Sequence, residues 1–115
     1  MKKFLLLLHD DQEAIEQLSP KQMEELVDAH MAWAQKLGDQ GHLIEGEGLS
    51  EKRIHIIGKD SVIKDGNFLE SKEMIGGFYY LQAKDLDEAI ELSKECPCHL
   101  WGGTTEIRPI MEYDQ

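Results

Sequence analysis

The chain has 115 residues and a formal net charge of −11, with 41% hydrophobic and 30% charged residues, which is typical of one globular domain over residues 1–115. Such acidity argues against nucleic acid and anionic membrane surfaces as partners, because both bind basic surfaces. No run approaches the ~20 apolar residues that cross a bilayer. Two cysteines, Cys96 and Cys98, would close almost no loop as a disulfide, so we expect a cytoplasmic protein with reduced thiols.

The first half of the chain predicts a strand, a long helix and a second strand. The apolar residues 4–8 predict a central strand covered on both faces, and residues 10–18 a connection. Ser19, Pro20 and Gln22 form a capping-box start for a helix that ends between residues 38 and 41, before a strand over 42–48. One face of this helix is expected to pack on the core through Met23, Leu26, Val27, Met31, Ala34 and Leu37, with His30 on the same stripe.

The second half predicts a hairpin, an aromatic strand, a helix and a last strand. The hairpin joins residues 53–57 to 61–64, and the aromatic strand covers 78–83. Asp85 caps the second helix, Pro97 ends it, and the last strand covers 104–110. The order is that of an α+β, ferredoxin-like β-α-β-β-α-β fold with an extra hairpin, in which two helices cover one face of an antiparallel sheet. The other face is left open, so we expect a homodimer.

Six short motifs in order carry a resemblance to a known family. They are Ser19-Pro20, Gly46-x-Gly48-Leu49, Asp65-Gly66-Asn67-Phe68, the segment from Glu70 through Lys72, Glu73, Gly76 and Gly77 to Phe78-Tyr79, Cys96-Pro97, and Glu106-Ile107-Arg108-Pro109-Ile110. The chain resembles the YCII-related family, in the branch often called DGPF proteins, although Asn67 stands where that signature has proline. The resemblance implies a dimeric α+β barrel in which two sheets pack face to face.

The resemblance also implies a His–Asp pair, with Asp10 after the first strand and His30 on the first helix as the matching residues. A carboxylate bonded to one imidazole nitrogen fixes the tautomer and raises the basicity of the other, as an acid–base site needs. However, His30 lies roughly 15 Å along the helix axis, and Asp10 is expected near the helix start. Either residues 10–16 fold back, or the pair does not meet and His30 bonds locally.

Three more residues are candidate substrate ligands. Arg108 and Glu106 alternate on one face of the last strand, where they either line a polar pocket that holds a substrate carboxylate or form a surface ion pair. Lys72 lies in a charged loop that either reaches a cleft mouth or the other subunit, or forms structural ion pairs. The segment Cys96-Pro97-Cys98-His99 is half of a zinc site without a second half, so no metal and no cofactor is predicted.

Two functions stay open at the level of sequence. The first is a small cofactor-free enzyme that acts on a small organic acid or lactone, with His30 as general base, Asp10 as its orienting partner and Arg108 as anion anchor. The second is a non-catalytic dimeric module that binds a small ligand or a partner protein. The first requires His30 and Asp10 to lie within hydrogen-bond reach of each other in a cavity, whereas the second predicts a filled site and tolerates loss of His30.

Overall fold

A computed structural model describes residues 1–65 and 73–113. In chain order its elements are β1 (Lys2–Asp11), α1 (Gln12–Glu16), α2 (Pro20–Asp39), β2 (Leu43–Gly48), β3 (Ile54–Ile57), β4 (Val62–Asp65), β5 (Glu73–Ala83), α3 (Leu86–Ser93), a 3-10 helix (Pro97–Trp101) and β6 (Thr104–Pro109). No helix in the described part of the chain is both long enough and apolar enough to span a membrane.

Four strands form an antiparallel sheet in the order β2-β5-β1-β6, and β3 and β4 form a separate hairpin. This strand order, with its two helical crossovers, is the ferredoxin-like arrangement. The predicted α+β fold, with its extra hairpin, is therefore confirmed.

Helices α2 and α3 cover the same face of the sheet. The side chains of Phe4, Leu6 and Leu8 alternate along β1 towards this face and are buried. Leu6 and Leu8 pack in one cluster with residues of α2, and Phe4 packs in a second cluster with Ala89 of α3. Leu6, Leu37 and Leu81 are at most 1% exposed, so each contributes about 1.5–3 kcal/mol of burial free energy.

Helix α2 begins as its sequence predicts. The Oγ of Ser19 accepts a hydrogen bond from the backbone N–H of Gln22, and the Gln22 side chain accepts from the backbone N–H of Ser19. Pro20 follows in the first turn, where its missing N–H has no consequence. The capping box thus fixes where the helix starts, and with it the position of every residue on its sheet-facing side.

The predicted core stripe of α2 is correct only near its C-terminal end. There Leu37 is buried and Ala34 packs against the core, together with Trp33, which the predicted stripe did not include. The preceding members Met23, Leu26, Val27 and Met31 line a cavity instead, and Met31 is 66% exposed. Periodicity predicts which residues share a face, but it does not predict how closely that face approaches the sheet.

The connection predicted over residues 10–18 is replaced by regular structure. Strand β1 continues to Asp11, whose carboxylate then caps α1 by accepting from the N–H of Ala14. Strand β5 likewise begins at Glu73, five residues before its predicted start, and pairs with this extension. The register shifts between Leu8 and His9, so that Gly76 is the extra residue of a β-bulge in β5.

Candidate functional site

A cavity of about 470 Å³ lies between the sheet and the N-terminal half of α2. This volume falls in the usual range for small-molecule sites. Apolar side chains of the two helices that precede β2 form much of its lining: Ile15, Met23, Leu26, Val27, Met31 and Ala34. Its titratable lining residues are His30, Tyr79, Asp10 and Glu47, which lie on α2, β5, β1 and β2, so the fold brings one such group from each of four elements to one place.

The ring of His30 is held by Tyr79. The His30 Nδ1 and the Tyr79 hydroxyl oxygen lie 2.7 Å apart in a hydrogen bond, and the two rings stack at 6.0 Å with an interplanar angle of 16°. Trp33 fixes the Tyr79 ring from the other direction by an edge contact at 4.8 Å. Gly46 makes room for this ring, because a Cβ there would lie 3.0 Å from Tyr79 Cδ1. The His30 imidazole therefore has a hydrogen-bond partner at Nδ1, and among the described residues none is recorded at Nε2.

Asp10 extends over the bulge in β5. A Cβ added to Gly76 would overlap the Asp10 carboxylate, so a side chain at this position would require Asp10 to move. From the other side the Cys98 thiol donates to Asp10 Oδ1 at 3.6 Å, and Cys98 itself packs over Gly103. The carboxylate thus has a defined place above a glycine.

Burial opposes the charged forms of the ionisable groups in this site. Burial raises the pKa of Asp10, while the Cys98 hydrogen bond and the nearby His30 and His9 act in the opposite direction. Burial lowers the pKa of His30, against the attraction of Asp10. Burial also raises the pKa of Tyr79, so its phenol keeps its proton at neutral pH. A neutral imidazole bonded to a neutral phenol is an arrangement suited to proton transfer.

His30 and Asp10 lie around the same cavity, and each affects the pKa of the other through its charge. Within the described residues, the partner of His30 Nδ1 is Tyr79 and that of the Asp10 carboxylate is Cys98, and no hydrogen bond or ion pair joins His30 to Asp10. Strand β1 extends to Asp11, so Asp10 lies within the strand, where it lines the cavity. Among the described residues the two side chains line one cavity but are not hydrogen-bonded to each other, and a catalytic role for the pair stays a prediction.

Arg108 and Glu106 lie elsewhere. Both flank Ile107, whose side chain packs against the core, so they point to the opposite face of the sheet from the cavity. There Glu106 accepts from His9 Nε2 at 2.9 Å and pairs with Arg108 at 3.6 Å. Within the described chain, Arg108 and Glu106 therefore do not share a pocket with His30. Ile107 faces the core on the side of the helices, and its two neighbours in β6 face the opposite side. The surface ion pair is the alternative that is observed.

Two further sequence features have different outcomes. Lys72, predicted to contact substrate, lies outside the described residues, as do residues 66–68 of the Asp-Gly-Asn-Phe motif. The half zinc motif does not converge: Cys98 contacts Asp10, whereas His99 Nε2 bonds the Thr105 hydroxyl. In the described ranges, no three His, Cys, Asp or Glu side chains are grouped so that they could hold a metal ion.

From the sequence, Tyr79 was recognised only as part of a motif and not as a partner of His30. A signal was present, since Tyr79, Leu81 and Ala83 alternate on one face of β5, and this is the helix-facing side. The contact between Cys98 and Asp10 has no comparable signal. It joins residues 88 positions apart and depends on how the 3-10 helix docks against β1.

The fold and the site define a class: an α+β, ferredoxin-like domain with a small-molecule-sized cavity between its sheet and its first long helix. A model of the YCII-related domain matches residues 2–114, and the chain belongs to this family. It is similar to uncharacterized protein R00369 of Rhizobium meliloti (strain 1021), with 32% identity over 81 residues. This alignment covers 70% of the present chain and 64% of that protein. The family is one of uncharacterised function.

Proposed function

We propose that the chain is a small cofactor-free enzyme that binds a small organic acid or lactone in the cavity and acts on it by acid–base catalysis. The observation that carries this proposal is the 2.7 Å hydrogen bond between His30 Nδ1 and the Tyr79 hydroxyl beside a half-buried Asp10. When Nδ1 carries the ring proton and donates it to Tyr79, Nε2 has a free lone pair and acts as the general base. The phenol O–H is then free to donate to a substrate oxygen.

The proton balance of such a site is simple. Nε2 of His30 takes a proton from the substrate or from an attacking water, and the resulting imidazolium returns it to the product. The negative charge of Asp10 stabilises the imidazolium across the cavity, consistent with its effect on the pKa of His30. Tyr79 takes the orienting role that the sequence assigned to Asp10. Arg108, on the other face of the sheet, has no part in this proposal.

The test is an NMR assay in D₂O of lactones and small acids for ring opening and for exchange of the hydrogens next to the carbonyl. Loss of a general base typically costs about 10²–10⁴-fold in rate, so His30→Gln should abolish turnover and Tyr79→Phe should reduce it. His99→Gln is the matched control, because His99 bonds Thr105 outside the cavity. Equal turnover by wild type and His30→Gln, or no turnover of any compound, would contradict the enzyme proposal.

The alternative is a non-catalytic dimeric module, and the β3–β4 hairpin favours it. The exposed branched aliphatic side chains of this hairpin are Ile54, Ile56, Ile57, Val62 and Ile63. An isolated two-stranded hairpin is at best marginally stable in water. Ile56 and Ile63 are cross-strand neighbours and both are about two-thirds exposed, at 67% and 65%. A surface of this kind is typical of a protein interface.

We further propose that a second copy of the chain is the partner. Half-buried apolar side chains of β1 and β5 lie on the open sheet face, among them Leu5, Leu7 and Tyr80. The β6 side of this face carries charges of both signs, in Glu106 and Arg108, which a two-fold related copy can match with its own. The resemblance to a face-to-face barrel agrees with this arrangement.

Sedimentation equilibrium tests self-association. Leu7→Lys should shift the mass towards the monomer, because it introduces a charge into the proposed interface. Leu100→Lys is the matched control, since Leu100 is 74% exposed in the 3-10 helix. A wild-type monomer, or equal dissociation by the two variants, would contradict the proposed interface.

A further inference from the structure

The cavity has an acidic and apolar lining. Among its described residues, Asp10 and Glu47 are acids, His30 is basic, and no lysine or arginine is present. An anionic ligand that leaves water needs a cation or several N–H donors in exchange, and arginine is the side chain best suited to a carboxylate. In the described lining, only the side chains of His30 and Tyr79 could donate hydrogen bonds to such an anion.

The start of α2 offers no substitute anion site. A helix N-terminus attracts anions through its free N–H groups. Here the Ser19 hydroxyl accepts from the N–H of Gln22, and the Gln22 side chain bonds the N–H of Ser19. The capping box therefore uses donors that a ligand carboxylate would need. Lys21 in the first turn carries a positive charge, but Glu24 and Glu25 in the next turn add two negative charges near this end.

We propose that the ligand of this cavity is an uncharged molecule with a carbonyl oxygen, of the lactone or ester class, rather than a carboxylate. The inference rests on the proposed function and narrows its substrate class. The Tyr79 hydroxyl can donate to one carbonyl oxygen, and the apolar side chains of α2 can cover the hydrocarbon part of the ligand. A cation would be attracted by Asp10, but the apolar lining would leave most of its donors unpaired.

Burial in the cavity also disfavours the charged forms of its own side chains. Burial raises the pKa of Asp10 and lowers the pKa of His30, so both groups are pushed towards their neutral forms. A ligand carboxylate would pay the same desolvation cost and would also face the charge of Asp10. An uncharged carbonyl compound pays neither cost, because it brings no charge into the cavity.

A matched pair of probes tests the inference. Phthalide is a neutral lactone, and 2-(hydroxymethyl)benzoate is its ring-opened carboxylate with the same carbon skeleton. Each is titrated into ¹⁵N-labelled protein while the amide signals of Gly46, Phe78 and Tyr79, which line the cavity, are followed. Asp10→Asn removes one cavity charge with little change of shape, and Glu91→Gln removes one charge from an exposed ion pair of α3 as the control.

We expect phthalide to bind roughly tenfold or more tightly than the carboxylate, which corresponds to a difference in binding free energy of about 1.4 kcal/mol or more. Asp10→Asn should improve carboxylate binding and narrow this gap, whereas Glu91→Gln should leave it unchanged. Equal or tighter binding of the carboxylate at the cavity signals would overturn the inference while leaving the small-molecule site in place. If neither probe shifts the cavity signals up to its solubility limit, the proposed function fails together with the inference.

Discussion

Replacement of Gly76 by alanine should destabilise the protein through a single contact. A Cβ at this position overlaps the Asp10 carboxylate and lies 2.7 Å from Asp10 Cγ. Overpacking of this kind costs about 1–3 kcal/mol of unfolding free energy, against a gain of roughly 0.5–1 kcal/mol for replacing a strand glycine. We therefore expect a net loss of about 1–2 kcal/mol, together with displacement of Asp10 from the cavity.

The assay is urea unfolding of a double-mutant cycle. The three nearest atoms to the added Cβ all belong to Asp10, so Gly76→Ala should cost little in an Asp10→Ala background. Gly48→Ala is the matched control, because its Cβ would meet nothing closer than the Gly76 carbonyl oxygen at 3.9 Å. The reasoning is refuted if the effects of Gly76→Ala and Asp10→Ala add within about 0.5 kcal/mol, or if Gly48→Ala costs as much as Gly76→Ala.

Three further predictions concern pH, capping and thiol reactivity. Because burial lowers the pKa of His30, this group binds more protons in the unfolded state than in the folded state as the pH falls through the ordinary value of 6.5. The free energy of unfolding should therefore fall with the pH, and the urea midpoint of His30→Gln should vary less between pH 7 and pH 5 than that of the wild type. Ser19→Ala should cost about 1 kcal/mol by urea unfolding, since it removes the cap of α2, and Ser19→Asp should restore most of it. Burial raises the pKa of Cys96 to about 11 and that of Cys98 to about 12, so both thiols should resist a thiol reagent at pH 8 until urea unfolds the chain, and rapid labelling of the native protein would contradict their buried placement.

The elements that could be predicted are those with local signals. Ser19, Pro20 and Gln22 mark the start of α2 because a capping box is formed by residues three positions apart. The hairpin of β3 and β4 is similarly marked by the turn at 58–60 between two apolar runs. The strand order follows from the sequence of elements and from the preference for packing both helices on one face.

The candidate site was predictable only in part. His30 and Asp10 were found through resemblance, but their relation depends on the extension of β1 and on the bulge at Gly76, which are results of pairing between distant strands. The partner of His30, Tyr79, lies 49 positions away. Arg108 was placed on the correct strand, yet on a face that only the packing of Ile107 against the core identifies as the one away from the cavity.

The most direct measurement is the NMR titration of the His30 ring in the wild type and in Asp10→Asn. The account predicts a pKa below the ordinary 6.5 in the wild type, because burial disfavours the imidazolium, and a further fall in Asp10→Asn, because the stabilising charge is removed. The surface His99, bonded to Thr105, serves as an internal control whose pKa should not respond to Asp10→Asn. A His30 pKa at or above 6.5, or one that does not respond to Asp10→Asn, would contradict an acid–base site shared by His30 and Asp10 in this cavity.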